Sequence, residues 1–141
     1  MYKINTNRED FIIPQRLANW DKKEIVTSAF FGNEEGWILS ELAAQTAGLH
    51  VRLCDEFQHQ VFLLKMKSSP VVSVKVTGEV KAVAILNSSS SKAFDYTVKL
   101  TVNSNIFVYE LIIALQEFTD ETEKVKMTNH FEKVLACLTK K

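Results

Sequence analysis

The chain has no excess charge of either sign, because 17 lysines and arginines balance 17 aspartates and glutamates. Nucleic-acid binding relies on clustered excess cations, so we expect no nucleic-acid partner. Long hydrophobic runs are also missing. Glu110 interrupts the longest of them, residues 106–115, and the N-terminal residues show no apolar signal region. We therefore expect a cytoplasmic protein that does not enter a membrane.

Cysteine and histidine, the common ligands of transition metals, are scarce. Cys54 and Cys137 stand far apart, and His50, His59 and His130 form neither an HxH nor an HExxH pattern. The sequence predicts two buried free thiols, no metal site and no other cofactor.

What the sequence does contain is a pattern of strands around one helix. Residues 37–53 carry apolar side chains at a helical period, and Ala43, Ala47 and Gly48 make one side small enough to lie close to a sheet. Residues 30–36, with two glycines, predict a loop. β-branched and alternating segments predict a hairpin over about residues 12–28 and a four-strand meander over residues 61–67, 74–86, 93–102 and 106–118, with the serine run 88–91 as a turn.

The C-terminal segment has a different pattern. Phe131, Val134, Leu135 and Leu138 share one stripe of a helix, which we expect to dock on the domain or on a neighbouring subunit. The connections between the predicted strands are too short for parallel crossovers. The prediction is therefore an α+β domain with an antiparallel sheet over residues 1–118, followed by a helical extension over residues 119–141.

The most informative stretch is residues 36–48, Gly-Trp-Ile-Leu-Ser-Glu-Leu-Ala-Ala-Gln-Thr-Ala-Gly. It resembles the start of the central helix in hot-dog 3-hydroxyacyl-ACP dehydratases, where a glycine, four residues, a glutamate and then Ala-Gln and Ala-Gly recur. Phe30-Phe31-Gly32 is similar to the Phe-Phe turn that precedes that helix. The resemblance covers roughly residues 10–118 and implies a hot-dog fold, in which a long antiparallel sheet wraps one hydrophobic helix.

This resemblance implies roles for five residues. The Gly36 amide would bind the thioester carbonyl, and Glu41 would be the catalytic acid that protonates the departing 3-hydroxyl. Gln45, Phe31 and Trp37 would belong to the substrate pocket. Spacing alone establishes only that Glu41 and Gln45 share a helix face. The structural alternatives are a solvated Glu41, an ordinary polar Gln45 and a Trp37 that packs at the helix entrance.

The sequence departs from the resembled family where the catalytic histidine is expected. The Gly-His-Phe-Pro segment is missing, because only Asn33, Glu34 and Glu35 separate Gly32 from Gly36. His50 is nine residues after Glu41 and therefore lies on the opposite helix face. His59 and His130 are expected at the surface. Glu34 or Glu35 would make a weak base, since the positive end of a helix dipole favours the ionised carboxylate.

Three functions remain open at this point. The first is a dehydratase-like subunit of fatty-acid or polyketide-type synthesis, inactive alone and completed by a partner. The second is a thioesterase in which Glu41 acts as nucleophile or general base. The third is a non-catalytic acyl-binding protein. All three imply acyl carrier protein or CoA thioesters as ligands, and a homodimer or a heteromer with another hot-dog subunit, because exposed sheet edges are normally paired.

Overall fold

The computed structural model describes residues 13–139, which form six strands and two helices. In chain order these elements are β1 (Arg16–Trp20), β2 (Glu24–Glu34), α1 (Ile38–Cys54), β3 (Gln60–Ser68), β4 (Val76–Ser89), β5 (Ala93–Val102), β6 (Asn105–Gln116) and α2 (Glu121–Thr139). The predicted α+β class, the central helix and the C-terminal helix are confirmed. No helix among the described residues is long and apolar enough to cross a membrane.

One antiparallel sheet contains all six strands in the order β1-β2-β4-β5-β6-β3. The predicted four-strand meander is wrong in one respect, because β3 pairs with β6 at the sheet edge and not with β4. Residues 69–75 carry the chain from that edge back to β4, so this connection is no hairpin turn. Only β4, β5 and β6 form a true meander.

Helix α1 is the core of the domain and packs against β2 through β6. Leu39, Leu42 and Ala43 are fully buried, and Ala47 beside them gives the helix a small, flat side toward the sheet. A buried hydrogen bond of 2.8 Å joins Thr46 of α1 to Thr27 of β2. Helix and sheet therefore share one hydrophobic core with a polar connection inside it.

Helix α2 covers the domain with the predicted apolar stripe. Phe131, Val134 and Leu138 are buried, and Leu135 is half-buried. The Phe131 ring stacks on Phe57 at a centroid distance of 6.4 Å, and α2 also packs against β1. The apolar stripe of α2 therefore docks on this domain, which is one of the two predicted alternatives.

Two local predictions are wrong in part, because strand pairing overrides turn composition. Residues 30–36 were expected to form a loop, but β2 continues to Glu34, with Phe31 opposite Gly78 and Glu34 opposite Val76. The serine run remains in β4 as far as Ser89, whereas Ser90 and Ser91 form the predicted turn before β5. The two cysteines are free as predicted, but they are exposed and not buried.

Candidate functional site

A cavity of about 610 Å³ lies between α1, the edge strand β3, its neighbour β6, and α2. Its lining combines apolar side chains, most of them from β3, β6 and α2, with polar and charged ones. Helix α1 contributes Ser40, Glu41, Ala44, Gln45, Gly48, Leu49 and Arg52.

Four of the α1 residues form a single stripe along this cavity. Glu41, Gln45, Gly48 and Arg52 follow one another at spacings of four, three and four residues, which keeps them on one helix face. Glu41 stands in the first turn and Arg52 in the last. The cavity thus has a carboxylate at one end of the stripe and a guanidinium at the other.

The Glu41 carboxylate is half-buried and forms no hydrogen bond or ion pair with any residue in the range 13–139. Its neighbour Ser40 donates its hydroxyl to the Trp37 carbonyl at 2.7 Å, so that hydroxyl is held by the helix start and not by the carboxylate. Glu41 is therefore available to a molecule that enters the cavity.

Gln45 lines the same cavity but also has a structural role. Its side chain is buried, and its Oε1 accepts a hydrogen bond of 3.0 Å from the Ile13 backbone N–H. This bond fastens the segment before β1 to the middle of α1. Of the five residues singled out from the sequence, the structure brings only Glu41 and Gln45 together in this cavity.

Gly36, Phe31 and Trp37 lie elsewhere. A Cβ on Gly36 would collide with the backbone oxygen of Val72 and lie 2.8 Å from its Cβ, so close packing by itself requires glycine here. Phe31 is buried in the core at 7% exposure, whereas Trp37 is 55% exposed. The binding role of the Gly36 amide stays a prediction, with an independent structural reason for the glycine beside it.

His50 faces away from the cavity, as its spacing from Glu41 predicts. It is fully buried, with Nδ1 2.5 Å from the Tyr96 hydroxyl and Nε2 2.7 Å from the Asp21 carbonyl. A carbonyl only accepts, so Nε2 carries the proton and Nδ1 accepts from the tyrosine. Burial lowers the pKa of His50, which is thereby a neutral structural histidine.

His59 was expected on the surface, but it lines the cavity and its side chain is only 31% exposed. Its Nδ1 lies 3.0 Å from Asp55, and its Nε2 lies 3.0 Å from Glu117. The hydrogen bond to Asp55 is the main cause of the raised pKa of His59. Asp55 follows Glu41 by fourteen residues, about 21 Å along the helix axis, so His59 belongs to the end of the helix opposite Glu41.

Arg52 and His59 are cavity residues that the motif comparison missed. Arg52 was detectable, because it continues the Glu41–Gln45 stripe by helical spacing. His59 was not, because its position depends on β3 joining β6. Among residues 13–139 there is no group of three or more His, Cys, Asp or Glu side chains arranged to hold a metal ion.

Known proteins resemble this chain in structure and not in sequence. The chain matches no protein-family profile and no curated protein sequence. A mutant thioesterase from Pseudomonas aeruginosa is similar over 73% of this chain and 81% of its own, with a TM-score of 0.62 and 18% identity. A thioesterase from Haemophilus influenzae is similar over 74% of this chain and 80% of its own, with a TM-score of 0.61 and 16% identity.

The dehydratase heterocomplex ApeI:P from Xenorhabdus doucetiae is similar over 84% of this chain and 90% of the matched chain, with a TM-score of 0.66 and 12% identity. These are proteins of the hot-dog fold. With the six-stranded sheet around α1, they identify this chain as a hot-dog protein. At such low identity the likeness establishes the fold alone.

Proposed function

We propose that this chain is a hot-dog acyl thioesterase in which Glu41 acts on a thioester bound in the α1 cavity. The observation that carries the proposal is the Glu41 carboxylate, which lines the cavity between α1, β3, β6 and α2 and has no partner among the described residues. Thioesterases among the proteins of similar structure support this reaction class. The ligands would be CoA or acyl carrier protein thioesters, and the location the cytoplasm.

The proposed reaction needs no histidine. Glu41 as general base takes a proton from water while the water oxygen attacks the thioester carbonyl. The C–S bond then breaks, and the proton passes from Glu41 to the departing thiolate, leaving a carboxylic acid and a thiol.

A second candidate is the dehydratase-like subunit expected from the sequence. Its support is the ApeI:P neighbour, described as a dehydratase heterocomplex. Removal of the α-proton of a 3-hydroxyacyl thioester requires a base besides the acid. His59 lies at the far end of the cavity and is engaged by Asp55 and Glu117, and His50 faces the sheet. This function would therefore need a histidine from a second hot-dog chain.

We also propose that the protein dimerises through β3. This edge strand exposes Phe62, Leu63 and Leu64 at 40%, 43% and 57%, whereas the opposite edge strand β1 is packed by α2. Exposed apolar edges are normally covered by another strand. Pairing of β3 with its copy would join two sheets into one and enclose the open side of the cavity.

The dimer is tested by sedimentation at micromolar concentration. The wild type is expected to be a dimer, and Leu64→Lys on the edge should dissociate it. Val71→Lys is the matched control, because Val71 is 93% exposed in the connection before β4. A wild-type monomer, or dissociation by the control variant alone, would contradict β3 pairing.

The reaction is tested on two panels of thioesters. Saturated acyl-CoA and acyl-ACP substrates report hydrolysis through the released thiol, and 3-hydroxyacyl-ACP reports dehydration through the enoyl product. We expect thiol release without enoyl formation by the protein alone. Dehydration by the lone protein would overturn the thioesterase proposal, and dehydration that appears only with a second hot-dog chain would favour the second candidate.

A further inference from the structure

Arg52 is a cation held inside the cavity by weak partners. Its Nη2 donates a hydrogen bond of 3.1 Å to the Val61 carbonyl, and its guanidinium carbon lies 3.9 Å from the centroid of the Phe131 ring. Burial lowers the pKa of Arg52 to about 10. The side chain is therefore charged at neutral pH although it has lost much of its contact with water.

No carboxylate among residues 13–139 forms an ion pair with Arg52. Asp55 and Glu117 are engaged by His59, and Glu123, which also lines the cavity, accepts hydrogen bonds from Gln60 and Thr119. A guanidinium has five N–H donors, and the described residues account for one of them. Arg52 is half-buried, and a largely desolvated cation with few partners is well suited to bind an anion that enters this end of the cavity.

The Arg52 guanidinium lies over the α1 face that carries Glu41, Gln45 and Gly48, and not beyond the end of that helix. Its Nη1 is 3.4 Å from the position that a Cβ on Gly48 would take, so the guanidinium lies close above this glycine. Arg52 follows Glu41 by eleven residues, which is about 16 Å along the axis and within about 20° of the same face. Phe57, Met127 and Phe131 surround this end of the cavity with apolar surface.

We propose that Arg52 binds a carboxylate at the far end of an acyl chain whose thioester lies at Glu41. The preferred substrates are then ω-carboxyacyl thioesters, the half-thioesters of long dicarboxylic acids. The assignment of the two ends rests on the proposed function, because Glu41 marks the reacting end. That Arg52 binds an anion in this cavity does not depend on the reaction.

A carboxylate suits this position better than the phosphate of a carrier arm. A carboxylate is flat and accepts two parallel N–H bonds from a guanidinium, and its alkyl chain would lie along Gly48 and the apolar wall. The phosphate of a carrier arm is joined to a bulky protein or nucleotide that must remain outside. We therefore assign Arg52 to the acyl end of the substrate.

The test is calorimetric binding of two esters that differ at one end. Monomethyl dodecanedioate has a methyl ester in place of the thioester and a free carboxylate at its other end, whereas methyl dodecanoate has only the ester. The full-length wild type is expected to bind the first at least tenfold more tightly. Arg52→Gln should abolish the preference, and Arg52→Lys should retain part of it because the charge remains. Phe131→Leu, which removes the ring but keeps the cation, should retain it too.

Equal binding of the two esters by the wild type, or a preference that survives in folded Arg52→Gln, would overturn the proposal. The proposal would also be overturned if Arg52→Gln weakened binding of an acyl-CoA but not of the same acyl group on N-acetylcysteamine, since Arg52 would then bind the carrier phosphate. Glu41→Gln separates the two proposals: it should remove hydrolysis and leave the ester preference intact. If the wild type prefers the carboxylate ester but hydrolyses no thioester, the anion site at Arg52 is supported and the thioesterase proposal is refuted.

Discussion

Removal of the Tyr96 hydroxyl tests the buried connection between α1 and the sheet. That hydroxyl donates to Nδ1 of His50 at 2.5 Å, and both residues are completely buried. Tyr96→Phe leaves a histidine nitrogen unsatisfied inside the core, which costs about 1–3 kcal/mol of unfolding free energy. For a domain of this size the melting temperature should fall by roughly 3–9 °C.

The matched control is Tyr109→Phe. Tyr109 is also buried, at 1% exposure, but its hydroxyl has no hydrogen-bond partner among the described residues, and burial raises its pKa to about 12. Loss of that hydroxyl should cost less than about 1 kcal/mol. Urea unfolding of both variants at pH 7.5 provides the comparison. A Tyr96→Phe variant that is no less stable than Tyr109→Phe would show that the His50–Tyr96 bond contributes nothing.

Three further predictions concern pH, a close backbone approach and the C-terminal helix. His50 should leave the unfolding free energy unchanged just above pH 6.5 and should lower it below that pH, because burial lowers the folded-state pKa of His50 and only the unfolded state binds the proton. In urea titrations His50→Gln should weaken this dependence of unfolding free energy on pH, and an unchanged dependence would contradict the prediction. Gly36→Ala should lower the unfolding free energy by about 1–3 kcal/mol, because its Cβ collides with Val72. Gly32→Ala, where a Cβ meets nothing within 4 Å, should be close to neutral, and equal melting temperatures of the two variants would refute the contact. Phe131→Ala should cost about 3–5 kcal/mol, and Val125→Ala on the exposed side of α2 should cost less than about 0.5; an undiminished thermal stability of Phe131→Ala would mean that α2 does not hold the domain together.

The fold was largely predictable because its main signals are local. The period of α1, its small residues and the alternation in β5 each specify an element without reference to the rest of the chain. The position of β3 was not predictable in this way, since its pairing with β6 joins residues far apart in sequence. The same applies to β2, where Gly78 and Val76 of β4 supply partners for residues that look like a loop.

The candidate site was predictable only where helical spacing determines it. Glu41 and Gln45 share the cavity because they are four residues apart on α1, and Arg52 follows from the same spacing. Gly36 illustrates the opposite case: the motif suggests binding of a carbonyl, but the structure also shows Val72 packed where a side chain would be. The motif therefore located the helix face, whereas the other residues that line the cavity depend on which strands and which helix close around it.

The most direct test of the account is the rate of thioester hydrolysis by wild type, Glu41→Gln and Glu79→Gln. Glu79 lies on the exposed side of β4 and does not line the cavity, so its variant controls for the loss of one negative charge. We expect Glu41→Gln to lower kcat by about 10²–10⁴-fold with little change in KM, since a general base acts in the transition state. Glu79→Gln should match the wild type. Wild-type hydrolysis that is unaffected by Glu41→Gln would contradict the assignment of this cavity as the active site.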